Sequence, residues 1–299
     1  MRVIITGSSG FVGVNLVSFL DKKKIEIDKI SLRDLSWQNS NKEADAIIHL
    51  AGKAHDTSRS SKPKEYFEVN RDLTIQLFNF FIDSEIKDFF YFSSVKAVAD
   101  VIDSILLEEI EGDPKTPYGK SKLEAEQYLL SRDLPMGKRL FIIRPCMIHG
   151  PGNKGNLNFL LNLVKKGIPW PLGSYDNKRS FLGIDNLCFL INSMLENSSI
   201  RSGVYNFADD KPLSTNDLVS LISNVLNKNI RILKVNKRFI EVIARIGDKI
   251  PLPLNTERLK KLTDSYVVSN QKIKSALGIK ELPFTVEEGL TRTVVSFEK

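Results

Sequence analysis

The chain has 299 residues, of which 42% are hydrophobic and 26% charged, so it can form one sizeable core and a smaller lobe, which argues against disorder. The net charge is +7, but the Lys and Arg residues are scattered and the aromatic residues lie in apolar runs, which argues against a nucleic-acid site and favours small anionic ligands. Two distant cysteines and three histidines without metal-ligand spacing argue against a disulfide framework and a metal site.

The two cysteines fit a reducing cytoplasm, and the start of the chain predicts no secretory signal. A hydrophobic strand pattern begins directly after Met1, without a charged leader or a cleavage site, so we expect no secretory signal. No apolar run reaches the roughly 18 residues that a membrane-spanning helix needs. We therefore also expect no transmembrane segment.

A strand, a tight turn and a helix are predicted first. The apolar run in "RVIIT" is followed by three glycines, and apolar residues at helical spacing resume with Phe11. Glycine lets the backbone approach a pyrophosphate, which then lies on the N–H groups and the positive end of the helix. We therefore predict that Gly7, Gly10, Phe11, Val12 and Gly13 bind a dinucleotide.

The end of the second strand, which reads "SLRDL", bears on the choice of dinucleotide. If Arg33 lies at the strand tip, it favours the 2′-phosphate of NADP, whereas Asp34 at that place would accept the ribose hydroxyl of NAD. A surface pair of opposite charges is the third possibility. The sequence leaves NAD and NADP open.

Short apolar runs alternate with helical patterns through the first half of the chain. This alternation predicts right-handed crossovers and an α/β fold, a Rossmann-like doubly wound parallel sheet. Residues 33–45 are too few for a crossover helix and another strand, which leaves the topology there open. The predicted strands after the first are 25–32, 46–52, 89–95 and 140–144, and the predicted helices between the later ones are 64–83 and 117–131.

Loops punctuated by Pro and Gly, with shorter helices, follow the first half. We assign 1–152 to an NAD(P)-binding domain and 153–299 mostly to a smaller C-terminal substrate-binding lobe, with about 179–203 returning to the first domain. Helices are predicted near 157–167, 216–227 and 238–250. The segment 228–249 carries seven Lys and Arg residues. A solvated helix face that lines the nucleotide cleft is the favoured interpretation, and contact with anionic membrane lipid is the other.

The stretch "TPYGKSK" places Tyr118 and Lys122 four residues apart at the start of a predicted helix, so both side chains project from one face. An ammonium next to a phenol favours the phenolate and lowers its pKa from about 10, which would make a usable general acid and base. On spacing alone, two polar residues on a solvated helix face are the simpler interpretation. The context of the chain favours chemistry.

That context is a set of motifs that occur in order: "TGSSGFVG", "IIHLAG", "YFEVN", "FFYFSSV", "PYGKSK" and "RPCMIHGPG". The chain resembles the extended short-chain dehydrogenases/reductases, in the branch of NAD(P)-dependent nucleotide-sugar epimerases and dehydratases. The resemblance covers residues 1 to about 190 and is weaker near the end of the chain. It implies a nucleotide-sugar substrate and a homodimer.

The resemblance implies roles for individual residues. Tyr118 would exchange a proton with the sugar C4 hydroxyl, Lys122 would bind the nicotinamide ribose, and Ser94 would complete the catalytic group. Asn70 would be structural, and Arg179 would bind the nucleotide diphosphate. Leu50, Ala51, Gly52 and Pro145 join Tyr118 and Lys122 as predicted cofactor contacts, and Lys96, His149, Asn156 and Arg179 join Ser94 as predicted substrate contacts. His149 has a second interpretation, a packed side chain.

Departures from the family pattern narrow the reaction. Dehydratases of the family carry an acidic pair after the catalytic Ser or Thr, and this chain has Val95 and Lys96 there, so dehydration is disfavoured. We predict first a UDP-sugar 4-epimerase of the UDP-glucose or UDP-N-acetylglucosamine type, and second an NADPH-dependent 4-keto-6-deoxy nucleotide-sugar reductase. A non-catalytic NADP-binding sensor is a third possibility. Residues 97–100 and His149 depart from the family and predict a sugar that differs from plain glucose or galactose.

Overall fold

A parallel sheet of six strands forms the centre of the protein in a computed structural model, which describes residues 1–34, 37–38, 43–53, 62–153, 157–250 and 254–298. The strands of the described residues are β1 (Arg2–Thr6), β2 (Glu26–Ile30), β3 (Ala46–His49), β4 (Asp88–Phe92), β5 (Ile105–Leu106), β6 (Arg139–Pro145), β7 (Met147–His149), β8 (Phe181–Gly183), β9 (Gly203–Phe207) and β10 (Val267–Val268). The central sheet has the order β2-β1-β3-β4-β6-β9, and β5 pairs with β10 and β7 with β8. Its parallel pairing confirms the predicted α/β class.

The helices cover both faces of this sheet and build a second core beyond it. Their bounds are α1 (Phe11–Lys22), α2 (Pro63–Phe67), α3 (Leu73–Ile82), α4 (Pro117–Leu130), α5 (Leu157–Lys165), α6 (Ile184–Glu196), α7 (Thr215–Val225), α8 (Lys237–Gly247), α9 (Thr256–Thr263), α10 (Gln271–Leu277) and α11 (Val286–Ser296). The predicted helix over 64–83 is split, because a π-helical turn over Glu68–Asp72 separates α2 from α3. No helix in the described parts of the chain is both long and apolar enough to cross a membrane.

Alternate side chains of each central strand enter different cores. Phe90 and Phe141 pack with α1 and α6 on one face, whereas Phe89 and Ile142 pack with α3 and α4 on the other. The residues of β3 and β4 are all buried, as expected for parallel strands that helices cover on both sides. Burial on both faces explains why these strands read as continuous apolar runs.

The topology of the first strands, which the sequence left open, follows from the pairing. Both β2 and β3 pair with β1, so the chain passes from the edge strand β2 to the far side of β1. A separate apolar core lies under α5, α7, α8, α9 and α11. In the sequence, α6 and β9 come between helices of the second core, but they pack on or pair with the central sheet. The two lobes are therefore interleaved along the chain. The predicted boundary at residue 152 stays a prediction.

Candidate active site

The carboxyl ends of four adjacent parallel strands gather most of the predicted site residues. Thr6, His49 and Tyr91 are aligned across β1, β3 and β4, and Phe92 is aligned with Ile143 of β6. Residues that follow these strands therefore meet at one edge of the sheet, which is where ligands bind in open α/β sheets. The predicted residues at this edge are Gly7, Leu50, Ala51, Gly52, Ser94 and Pro145.

The glycine turn between β1 and α1 has no room for side chains at two positions. Gly7 has φ +70°, and a β-carbon there would lie 2.5 Å from the Ala51 nitrogen. A β-carbon at Gly13 would lie 2.3 Å from the Gly7 carbonyl oxygen. Gly10 begins the helix without a side-chain cap, so the first N–H groups of α1, at Phe11 and Val12, are available to an anion. The turn fits the pyrophosphate of a dinucleotide.

Gly13→Ala should weaken cofactor binding by at least about tenfold, because the turn must move and its N–H groups move with it. Titration of NADH or NADPH by fluorescence measures the change. Gly183→Ala is the matched control, since a β-carbon there meets no atom closer than 3.7 Å and should leave affinity unchanged. Equal affinities for the two variants would contradict the role of the turn.

The tip of β2 exposes both residues that bear on cofactor choice. The side chains of Arg33 and Asp34 are exposed, and the Arg33 N–H lies 3.4 Å from the Ser31 hydroxyl. Asp34 has an interaction within the protein. Because both side chains face solvent at this strand end, the choice between NAD and NADP remains open, as the sequence predicts.

Ser94 and Tyr118 are brought together although 24 residues separate them. Ser94 follows β4, its hydroxyl accepts a hydrogen bond of 3.1 Å from the Lys96 N–H, and it is also hydrogen-bonded to the Tyr118 phenol. Burial raises the pKa of Tyr118, and the hydrogen bond with Ser94 lowers it. The pKa of Tyr118 therefore lies above its ordinary value, and the expectation that Lys122 lowers it is not met. The neighbouring Ser93 hydroxyl is buried and has no hydrogen-bond partner among the described residues.

Lys122 lies one helical turn after Tyr118 and is only 5% exposed. Its ammonium donates a 2.7 Å hydrogen bond to the Phe92 carbonyl at the end of β4 and lies 4.9 Å from the centre of the Tyr91 ring. Burial lowers the pKa of Lys122 to about 8, and the Glu126 carboxylate opposes that shift. A β-carbon at Gly52 would lie 3.3 Å from the Lys122 nitrogen, so a glycine keeps the space beside this amine open.

Asn70 joins the loop after β3 to helix α4. It is fully buried in the π-helical turn, and its side-chain oxygen accepts a 2.7 Å hydrogen bond from the Lys53 N–H. Its amide donates to the Lys53 carbonyl at 3.1 Å and to the Ser121 hydroxyl at 3.0 Å. Asn70 therefore fixes the loop that carries Gly52 against the helix that carries Lys122, and π-turns are frequent at functional sites.

A buried chain of hydrogen bonds, which the sequence did not predict, stabilises the backbone at this edge of the sheet. The Thr74 hydroxyl donates to the Asn70 carbonyl at 2.7 Å, so it accepts from His49 Nε2 at 2.9 Å. His49 Nδ1 then accepts from the Thr6 hydroxyl at 2.7 Å, and Thr6 accepts from the Ala51 N–H at 3.2 Å. A neutral His49 thus positions the backbone that faces the glycine turn.

His49 should make the fold sensitive to acid. Burial, with the Lys122 charge, lowers its pKa to about 3, below the ordinary value near 6.5 of an unfolded chain. The stability it contributes is therefore fully present above pH 6.5 and is lost as the pH falls towards 3, by up to about 1.4 kcal/mol per pH unit. Urea unfolding of wild type and His49→Gln between pH 7 and pH 5 measures this. Wild type should lose stability more steeply, and parallel curves would refute the assignment.

Three cationic side chains, those of Lys96, Arg179 and Lys261, lie close to one another. The Lys96 ammonium donates a 2.7 Å hydrogen bond to the Asp100 carbonyl and lies 4.1 Å from the centre of the Tyr266 ring. Burial, with the charges of Arg179 and Lys261, lowers the pKa of Lys96 to about 8, and the carboxylates of Asp100 and Asp264 oppose this shift. Arg179 is half-buried and donates to the Lys261 carbonyl. Three cations beside two carboxylates leave an excess of positive charge, which favours an anionic ligand.

Two other predicted substrate residues are placed differently. His149 is 2% exposed, with Nδ1 2.9 Å from the Thr293 hydroxyl and Nε2 3.6 Å from an Asp209 carboxylate oxygen. Protein therefore surrounds the ring, as the packed interpretation expects, and contact with a substrate stays a prediction. Asn156 lies outside the described residues.

The comparisons with known proteins agree with this geometry. Residues 3–208 match the NAD dependent epimerase/dehydratase family. The chain belongs to this family. It is 30% identical to a UDP-glucose 4-epimerase of Vibrio cholerae over 99% of this chain and 95% of that protein. It is 25% identical to a GDP-6-deoxy-D-mannose reductase of Pseudomonas aeruginosa over 78% of this chain and 83% of that protein.

A solved structure has the same fold. The structure of RMD from Pseudomonas aeruginosa complexed with NADPH superimposes with a TM-score of 0.75 at 21% identity, over 99% of each chain. Membership of the epimerase/dehydratase family confirms an NAD(P)-dependent enzyme. Two features of the structure fit NAD(P). The glycine turn leaves the first N–H groups of α1 without a side-chain cap, and Gly52 keeps the space beside Lys122 open.

Sequence reasoning missed several residues of this family site. Tyr66 packs edge-on against Tyr118, with ring centres 6.2 Å apart, and closes one side of the phenol. Ser121 orients Asn70, and Glu126 lies one turn below Lys122. The i, i+4 spacing of Lys122 and Glu126 was the only available signal, since the Tyr66 contact depends on tertiary packing.

Proposed function

We propose that the protein is a nucleotide-sugar 4-epimerase, most simply one that acts on a UDP-sugar of the glucose or N-acetylglucosamine type. The observation that carries this proposal is the Ser94–Tyr118 hydrogen bond beside the buried Lys122, at the sheet edge that holds the glycine turn. The positions after Ser94 hold Val95 and Lys96, so no acidic pair for dehydration follows it. Similarity to the Vibrio cholerae UDP-glucose 4-epimerase supports the same choice.

Each site residue has a separate role in the proposed reaction. Bound NAD(P) supplies hydride exchange at the sugar C4. Tyr118 exchanges the proton of the C4 oxygen, and the Ser94 hydroxyl orients that oxygen and the phenol through hydrogen bonds. Lys122 orients the nicotinamide ribose, while its charge favours the phenolate when the proton must leave Tyr118. Lys96 and Arg179 hold the diphosphate, whose charge offsets their mutual repulsion.

Reduction of a 4-keto-6-deoxy nucleotide sugar with NADPH is the second candidate. Burial raises the pKa of Tyr118, which favours the protonated phenol that a reductase needs as a proton donor. The exposed Arg33 suits the 2′-phosphate of NADPH, and similarity to a GDP-6-deoxy-D-mannose reductase adds support. The presence of Ser94, Tyr118 and Lys122 together disfavours a non-catalytic sensor.

One experiment separates the two reactions. Purified protein is incubated with UDP-glucose, with UDP-N-acetylglucosamine and with a 4-keto-6-deoxy nucleotide sugar, and NADPH absorbance and C4 configuration are followed. Interconversion of C4 epimers without net NADPH oxidation is expected. NADPH oxidation only with the keto sugar would replace the epimerase proposal with the reductase one, and no turnover of any of them would refute both.

We place the reaction in the cytoplasm because of the cysteine usage of the sequence, and we expect a homodimer because of the family resemblance. Sedimentation velocity measures the oligomeric state, and a monomer at micromolar concentration would refute the homodimer. The active-site argument does not depend on either statement, because the residues that form the site come from one chain.

A further inference from the structure

Helix α8 has a wider apolar arc than the second core covers. Ile240 and Ala244 are buried in that core, at 3% and 1% exposure. Four further apolar side chains are exposed to solvent. They are Phe239 (61%), Val242 (51%), Ile246 (45%) and Ile250 (54%), and we call them the α8 stripe.

The α8 stripe is a continuous row. Its members are spaced by three, four and four residues, which places them one above another on one helix face. Ile250 extends the row beyond the last helical residue, since its N–H still bonds to the Ile246 carbonyl at 3.0 Å. Large apolar side chains grouped this way are unusual on a protein surface and mark an interaction site.

A row of cationic side chains runs beside the stripe. Arg238, Arg245 and Lys249 are exposed and are spaced by seven and four residues, so they lie on one line along the helix. Arg238 directly precedes Phe239, and Lys249 directly precedes Ile250, which puts the cationic row along one border of the α8 stripe. None of the three forms a salt bridge with an acidic side chain of the described residues.

The acidic residues of this segment face elsewhere. The Asp248 carboxylate accepts hydrogen bonds from the N–H and hydroxyl of Thr256, at 3.0 and 2.5 Å, so it is directed towards α9. Glu241 is three residues from Arg238 and four from Arg245, so it lies beside the cationic row, on the side away from the stripe. Burial and the Glu241 charge raise the pKa of Tyr175. The border of the stripe is therefore cationic.

We propose that the α8 stripe and its cationic row dock the protein on an anionic lipid bilayer. An exposed apolar row bordered by Arg and Lys is the arrangement by which a helix lies in the plane of a membrane interface, with the apolar side chains in the acyl region and the cations at the headgroups. The helix spans only 11 residues, which suits lying on a membrane and not crossing it. This docking does not depend on whether the enzyme is an epimerase or a reductase.

A second copy of the chain is a poorer occupant of the stripe. A two-fold interface centred on α8 would bring the same surface of both copies together, and the cationic row of one copy would lie near that of the other. Such a dimer would bring like charges together along that border. An anionic lipid surface complements the same border directly.

Vesicle sedimentation tests the docking. Vesicles of phosphatidylglycerol and phosphatidylcholine should carry the protein down, whereas vesicles of phosphatidylcholine alone should bind it far less. Arg238→Gln/Arg245→Gln/Lys249→Gln should weaken partitioning by about fivefold for each charge removed. The control Lys22→Gln/Lys23→Gln/Lys24→Gln removes the same charge from exposed residues at the end of α1 and should partition nearly as wild type. Equal loss in both triple variants would overturn the proposal.

A tryptophan placed on the stripe reports on the contact itself. Phe239→Trp should shift its emission to shorter wavelength with anionic vesicles and should be quenched by brominated acyl chains. Met136→Trp is the control, because this position is fully exposed and lies outside the stripe, and it should show neither change. The native Trp37 and Trp170 are buried. Absence of quenching at Phe239→Trp in bound protein would overturn the proposal, as would loss of a solution dimer when Phe239 is replaced by Ser.

Discussion

Tyr118→Phe should lower kcat by about 10²- to 10⁴-fold and leave cofactor affinity nearly unchanged. The substitution removes only the hydroxyl that shares a hydrogen bond with Ser94, and the ring can still pack against Tyr66. Proton exchange at the sugar oxygen then has no donor or acceptor, whereas the glycine turn and Lys122 are untouched. Steady-state rates, with cofactor binding followed by fluorescence, measure both quantities.

Tyr128→Phe provides the matched control on the same helix. The Tyr128 hydroxyl lies near solvent and is 3.1 Å from the Asn79 side-chain oxygen, far along α4 from Ser94. We expect this variant to keep wild-type turnover within about twofold, as surface changes usually have small effects. A Tyr118→Phe enzyme that turns over every accepted substrate as fast as Tyr128→Phe would remove Tyr118 from the chemistry.

Arg144→Met should destabilise the protein by about 3–5 kcal/mol, which is a large part of the stability of a typical domain. Arg144 and Glu126 form a buried ion pair at 2.6 Å, with side-chain exposures of 6% and 1%. Removal of the guanidinium leaves the Glu126 carboxylate without its partner in the core, close to Lys122. Urea unfolding at neutral pH measures the loss.

The ion pair of Arg71 and Glu124 supplies the comparison. Its atoms are 2.7 Å apart, but the side chains are 35% and 42% exposed. Because water screens such pairs, Arg71→Met should cost no more than about 1 kcal/mol. The double variant Glu126→Leu/Arg144→Met should also be less destabilised than Arg144→Met, since the buried carboxylate of Glu126 is removed together with its partner. If Arg71→Met costs as much as Arg144→Met, burial is not the cause.

The α/β order, the turn at Gly7 and the spacing of Tyr118 and Lys122 were predictable because they depend on local signals, whereas the place of Ser94 was predicted from the resemblance to a known family. Strands and helices follow from apolar periodicity, and parallel strands place the residues after them at one edge. A helix puts residues four apart on one face, so the Tyr118–Lys122 geometry needed no tertiary information.

Other features depend on contacts between distant residues. The chain through Thr6, His49 and Thr74 joins three elements, and no local pattern relates these residues. The π-helical turn at Asn70 leaves the apolar pattern of the predicted helix nearly intact, so the sequence reads as one helix. Glu126 and Arg144 look like surface charges until the pair that compensates their burial is known.

The interleaving of the two lobes limits how the protein can be divided. A fragment ending at residue 152 would lack β9, which pairs along β6 from Phe141 to Pro145. Six of the seven residues of β6 are buried, and this apolar strand would become an open edge of the sheet. Such edges pair with one another between molecules, so the fragment should aggregate more readily than the intact chain. We therefore expect residues 1–152 to need β9 in order to fold without aggregation.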